Sequence, residues 1–314
     1  MRYNTWCFFD SFEVLPHIIE LSNNVSLVLV NYGQHCQPMN YSVSGATIYG
    51  IEIEASVKQD AIETADLLCA CHSVVESYNY ESSEEIIRRF KKDESNIFSQ
   101  IGNKGIVYGD DRLYHACKML KRIYNNQQYK NAVCKYYVAH EIYALHPMDL
   151  DPWEDPFISD YLLSDRVRIA NVIVNCYSIL EELHLQIKAS QSNPSVINGE
   201  WNPLVKKEMQ DRLIKSKIDP LKTIPWLTRN GVVRPFKNTA IKHDSLCEWS
   251  DGKEIADFEI RICDAILELS YMRSQLSSHN LGNNVLKLSV YDAENAFALS
   301  RFILLMLFEI EIFQ

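Results

Sequence analysis

Arg273 and His279, in the stretch LELSYMRSQLSSHNLGNN, are the residues of this chain whose types and spacing could do chemistry. A histidine titrates near neutral pH and can accept or donate a proton. An arginine keeps its charge and offers a planar fork of N–H donors that matches a phosphate group. Two such side chains that meet could bind a phosphate and move a proton beside it.

The spacing of this pair requires a helix that ends or bends. Six residues along a regular α-helix rotate by about 600°, which leaves the two side chains about 120° apart. The stretch contains residues that form helices weakly or terminate them: Ser277, Ser278, Asn280, Gly282 and Asn283. We therefore expect His279 to project from a helix end, with Arg273 about one and a half turns behind it.

An arginine followed after four to six residues by a histidine, near the end of a long helix in a small α-bundle, resembles the signature of the HEPN superfamily (higher eukaryotes and prokaryotes nucleotide-binding domains). NCYSILEELHL, residues 175–185, resembles the first long helix of many such domains, where an aromatic residue and a glutamate recur, as do Tyr177 and Glu181. Many catalytic members carry Asn, Asp or His directly after the arginine, whereas this chain has Ser274. The resemblance covers about residues 158–314.

The resemblance implies metal-independent cleavage of RNA by Arg273 and His279, with no cofactor. It implies a homodimer through the C-terminal helices, in which the two motifs face each other across a two-fold axis. A toxin or antiviral defence effector is the implied setting. It also implies supporting roles for neighbouring polar residues: Ser274, Ser278, Asn280, Glu181 and Tyr177.

Two other classes of function stay open. One is a non-catalytic HEPN module that binds a nucleotide, RNA or a regulatory protein partner, with the N-terminal domain carrying the function. The other is a purely structural helical scaffold. In that case His279 would only interact with a helix dipole and Arg273 would be an ordinary surface residue.

The distribution of charge allows a local RNA-binding surface. The formal net charge of -10 argues against a chain whose whole surface attracts nucleic acid. Residues 206–242 nevertheless hold far more basic than acidic side chains, with Trp201, Trp226 and Phe236 nearby as stacking or core aromatics. The RNA-binding candidates in this stretch are Lys206, Lys207, Arg212, Arg229, Arg234 and Lys237.

Metal sites are not expected. The nine cysteines are scattered and include no CxxC pair, which fits a reducing cytoplasm. Cys69, Cys71 and His72 point in different directions on a helix and cannot converge on one ion. HEIYALH separates His140 and His146 by six residues, whereas a zinc protease helix needs four.

The first 150 residues predict an α/β domain of unknown role, in sensing or in substrate access. Three short segments have the alternation or the β-branched residues typical of strands: TWCFF, VSLVLV and ATIYGIEIEA. Helical periodicity follows over 58–78, SSEEIIRRF, 110–125 and 128–145. The segment 146–156, HPMDLDPWEDP, has three prolines and is the predicted domain boundary.

Residues 157–314 predict a HEPN-like helical bundle. Apolar residues at helical spacing predict helices over about 160–189 and 253–277, with a basic helix over 203–217 and an irregular segment over 218–237. Asp292 is the predicted cap of a last helix that is apolar almost all round, so this helix should be central or shared with a second subunit.

The predicted fold class is α+β and predominantly helical. The longest apolar run, 302–308, is far shorter than the roughly 18 residues that a membrane span needs, so no membrane association is expected.

Overall fold

The computed structural model describes residues 2–4, 18–33, 48–76, 112–144, 163–229, 240–248, 254–277 and 288–310. Its contacts divide the chain into two compact units, residues 1–134 with 310–314, and residues 135–309. The predicted boundary at 146–156 lies outside the described residues. The fold is α+β and predominantly helical, as the sequence predicts.

The first unit contains a four-stranded antiparallel sheet. Its order is β1-β4-β3-β2, formed by β1 (Arg2–Asn4), β2 (Ile18–Ser22), β3 (Val25–Gly33) and β4 (Ile48–Ala55). Alternation sets the faces of β4, since Ile51 and Ile53 are buried while Glu52 and Glu54 are partly exposed. The predicted strands over VSLVLV and ATIYGIEIEA are confirmed, and TWCFF lies outside the described residues.

Three of the helices predicted before residue 150 are also confirmed: α1 (Lys58–Glu76), α2 (Arg112–Ile123) and α3 (Gln127–Ala144). Helix α1 packs against α2 and β4 through buried residues such as Leu68 and Val74. The helix predicted over SSEEIIRRF lies outside the described residues.

The second unit combines helices with a sheet that the sequence analysis did not predict. Its elements are α4 (Leu163–Glu182), β5 (Val196–Ile197), β6 (Glu200–Trp201), α5 (Pro203–Lys215), β7 (Thr223–Arg229), β8 (Ala240–Glu248), β9 (Glu254–Arg261), α6 (Ile262–Tyr271), a π-helical turn (Met272–Ser277) and α7 (Val290–Leu307). Strands β7, β9 and β8 form an antiparallel sheet in that order.

Two predicted segments are wrong in part. Residues 254–261, predicted as the start of a helix, form β9, which pairs with a strand on each side. The segment predicted as irregular contains β7, where Ile224 and Trp226 are buried and Pro225 is exposed. In both strands apolar residues recur at every second position, as a strand requires. Around β9, however, Ile255, Phe258 and the following Ile262 also have the spacing of one face of a helix, so the pattern alone does not decide.

The helices of the second unit otherwise lie close to their predicted positions, with two corrections. Helix α4 ends at Glu182 rather than near 189, and His184 follows with a φ of 58°, in the left-handed region. Ser289, not Asp292, is the N-cap of α7; Asp292 is three residues further on and completes a capping box. Helix α7 is central, because it packs against both α4 and β7.

No helix within the described ranges combines the length and the apolar character needed to cross a membrane.

Candidate functional site

Helix α4 supplies one side of the candidate site. Its apolar stripe, which includes Ile169, Ile173 and Leu180, is fully buried and fixes the rotation of the helix. Tyr177 and Glu181 are four residues apart and therefore lie on one face. Tyr177 is buried, whereas 42% of the Glu181 side chain is exposed, so this face passes from the core to the surface.

Arg273 approaches this face from the π-helical turn. Its Nη2 donates to Glu181 Oε1 at 3.4 Å, and its guanidinium carbon lies 5.4 Å from the centroid of the Tyr177 ring. A carboxylate and an aromatic face together restrict the plane of a guanidinium. Because 33% of the Arg273 side chain is exposed, the group is oriented by protein contacts and still reaches solvent.

A hydroxyl links the two segments a second time. Ser270 Oγ donates to the Tyr177 hydroxyl oxygen at 3.4 Å, a long hydrogen bond. Ser270 precedes Arg273 by three residues, so both contact the same side of α4. The tyrosine is thereby held between a serine at its hydroxyl and an arginine at its ring.

The π-helical turn follows an unusually buried helix. In α6 all residues from Ile262 to Leu269 are buried, including Asp264 and Glu268. The next six residues close i to i+5 hydrogen bonds rather than i to i+4, a pattern that is often found at functional sites. Within the turn, Met272 and Ser277 are buried, Arg273 is half-buried and Ser274 is exposed.

Other charged residues near Arg273 and Glu181 in the sequence form ion pairs of their own. Glu182, next to Glu181, binds Lys135 Nζ at 2.7 Å, so Glu181 is the carboxylate that remains beside Arg273. At the start of α6, the buried Asp264 accepts a hydrogen bond from Arg261 Nε and lies 3.4 Å from Lys206 Nζ.

The candidate RNA-binding residues do not share one environment. Lys206 faces Asp264 and lies 5.9 Å from the Trp201 ring centroid, while only 17% of the Arg212 side chain is exposed. Lys207 is exposed on α5. Arg229 is at the end of β7, and Arg234 and Lys237 lie outside the described residues. Lys206 and Arg212 therefore contact protein groups first, and Lys207 is the basic side chain of α5 among these candidates that faces solvent.

Of the predicted site, the structure brings Arg273, Tyr177 and Glu181 together. Ser278, His279 and Asn280 lie outside the described residues, so the meeting of Arg273 with His279 stays a prediction. Ser270, which contacts Tyr177, was not predicted as a neighbour of the site. Ser270 could have been found from its three-residue spacing to Arg273, whereas the π-helical turn has no sequence signal that we recognise.

The described residues contain no group of three histidine, cysteine or acidic side chains that could hold a metal ion. Cys69, Cys71 and His72 are buried in α1.

Comparison with protein-family models, with curated proteins and with solved structures finds no match to this chain.

Proposed function

We propose that this chain is a metal-independent endoribonuclease of the HEPN type, with Arg273 and His279 as its catalytic pair. One observation supports the proposal most: Arg273 contacts both Tyr177 and Glu181, the two residues of α4 that the resemblance singled out. These residues are 92 and 96 positions from Arg273 in the sequence, so their meeting is a property of the fold and not of local spacing.

The chemistry needs three groups at one phosphodiester. A base removes the proton of the 2′-hydroxyl, whose oxygen attacks phosphorus; the bond from phosphorus to the 5′-oxygen breaks, and an acid protonates that oxygen. The products are a 2′,3′-cyclic phosphate and a 5′-hydroxyl. Arg273 would stabilise the charge on the phosphorane oxygens, which needs no metal.

His279 would carry out the proton transfers, as the base that accepts the 2′-hydroxyl proton or as the acid that protonates the 5′-oxygen. One imidazole cannot easily serve as base and acid in the same step, so we propose that a second copy of the chain supplies the other imidazole across a two-fold axis. Sedimentation of the wild-type chain tests this part: we expect a dimer, and a monomer that cleaves RNA at full rate would contradict it.

The test of activity uses purified protein and mixed RNA in excess EDTA. The wild-type chain should cleave, and Arg273→Ala and His279→Ala should each abolish cleavage. Cleavage that survives both substitutions, or that stops in EDTA, would contradict the proposed mechanism. RNA binding without cleavage would favour the alternative, a non-catalytic module.

A further inference from the structure

Ser277 is a buried hydroxyl without a hydrogen bond. The residue is 7% exposed, and its Oγ has no hydrogen-bond partner among the described residues. A buried polar atom that lost its water and gained no partner lowers the stability of the fold. Such atoms are uncommon in native proteins, and each needs a physical explanation.

The two other buried serines that the structure describes in this unit each have a hydrogen-bond partner. Ser300, which has no exposed surface, donates to the Cys176 carbonyl oxygen at 3.4 Å, and Ser289 donates to Asp292 at 3.0 Å. A serine inside a helix can also donate to a backbone carbonyl oxygen of the preceding turn. Ser277 therefore differs from Ser289 and Ser300.

The same turn also carries Arg273. Ser277 follows Arg273 by four residues in the π-helical segment, which is close to one turn. A rare helical form and an unsatisfied hydroxyl are thus concentrated within six residues that hold the candidate phosphate-binding guanidinium. Met272 and Ser277 are both buried in the turn, but the Ser277 hydroxyl forms no hydrogen bond there.

We propose that Ser277 is a second phosphate-binding residue of the Arg273 site, and that its hydroxyl donates to a non-bridging oxygen of an RNA phosphodiester. The inference rests on the proposed function for its ligand class. Glu181 occupies one side of the guanidinium, so a phosphate binds Arg273 from its solvent-facing side. A change of the χ1 rotamer of Ser277 moves its oxygen without moving the backbone.

The test measures affinity and stability with an RNA that cannot be cleaved. A short 2′-O-methyl oligoribonucleotide is titrated into the full chain and followed by fluorescence anisotropy. Ser277→Ala should weaken binding about tenfold, as expected for the loss of a hydrogen bond to a charged group, and should leave Tm unchanged or raise it. Ser277→Thr, which keeps the hydroxyl, should bind more tightly than Ser277→Ala.

Ser300→Ala is the matched control, because it removes a buried hydroxyl that does have a partner. It should lower Tm and leave RNA affinity unchanged. Equal affinity of the wild-type chain and Ser277→Ala would overturn the inference, as would a fall in Tm for Ser277→Ala or a wild-type chain that does not bind the probe. A wild-type chain that binds the probe through Ser277 but leaves ordinary RNA intact would refute the nuclease and keep the phosphate site.

Discussion

The carboxylate of Glu181 and the guanidinium of Arg273 meet at 3.4 Å across the contact between α4 and the π-helical turn. Both side chains are partly exposed, so the pair adds little to the stability of the fold. Its consequence is geometric, since it directs the guanidinium at Glu181 while a third of the Arg273 side chain still reaches solvent.

Replacing Arg273 should separate activity from stability. We expect Arg273→Ala to lower RNA cleavage by at least about 100-fold, the scale of losing one group that stabilises transition-state charge. Thermal unfolding should change little, because the ion pair is half-exposed. Arg273→Lys keeps the charge but not the planar fork, so cleavage should also fall. Full activity in the lysine variant would contradict a role for the fork.

Glu181 should act by positioning Arg273. We expect Glu181→Gln to lower kcat roughly tenfold, because a misdirected guanidinium stabilises the phosphorane less well. The matched control is Glu182→Gln, which breaks the 2.7 Å pair with Lys135. The control should cost about 0.5 to 1 kcal/mol of unfolding free energy and keep full activity. If both variants lose activity equally, the effect of Glu181 is structural and our interpretation is wrong.

The sequence predicted the parts of this fold that have one clear periodicity. Strand β4 alternates cleanly, and α1 to α3 have helical spacing over many residues, so each was found. Strand β9 was missed because Ile255, Phe258 and Ile262 also fit a helix, and only its pairing with β7 and β8 decides between them.

The candidate site was predictable to a similar extent. The resemblance singled out Arg273, Tyr177 and Glu181, and the fold brings these side chains into contact. The resemblance could not indicate the π-helical turn, because the turn depends on how the buried helix α6 packs and ends. The missing hydrogen bond of Ser277 is equally a tertiary property, because a serine's partner depends on which carbonyl or side chain lies nearby.

Asp292 should make stability depend on pH. Burial raises the pKa of this carboxyl from 3.8 to about 6, and the hydrogen bonds from Ser289 only partly offset that increase. The folded state thus holds the proton more tightly, so the stabilisation from this group is complete below about pH 4 and is lost as pH rises through 6.

Urea unfolding of the wild-type chain and of Asp292→Asn at several pH values checks this expectation. Relative to the asparagine variant, the wild-type chain should lose up to about 3 kcal/mol of unfolding free energy between pH 4 and pH 8. Parallel pH profiles for the two proteins would show that folding does not raise the pKa of Asp292.

The buried cysteines should be unreactive in the folded chain. Burial is the main cause that raises the pKa of Cys263 to about 11 and that of Cys176 to about 12. Because the thiolate is the reactive form, iodoacetamide at pH 8 should label these residues only after unfolding. Peptide mass spectrometry would measure the labelling, and rapid modification of Cys176 in the native protein would contradict its burial.

Attack by the 2′-hydroxyl leaves defined ends on the RNA fragments, and these ends distinguish the proposed mechanism from other ways of cleaving RNA. A defined oligoribonucleotide is incubated with the wild-type chain in EDTA, and the fragments are weighed by mass spectrometry. We predict 2′,3′-cyclic phosphate and 5′-hydroxyl ends, which are absent with Arg273→Ala, with His279→Ala and with a 2′-O-methyl substrate. Fragments with 5′-phosphate ends, or cleavage of the 2′-O-methyl RNA, would rule out the proposed nuclease mechanism.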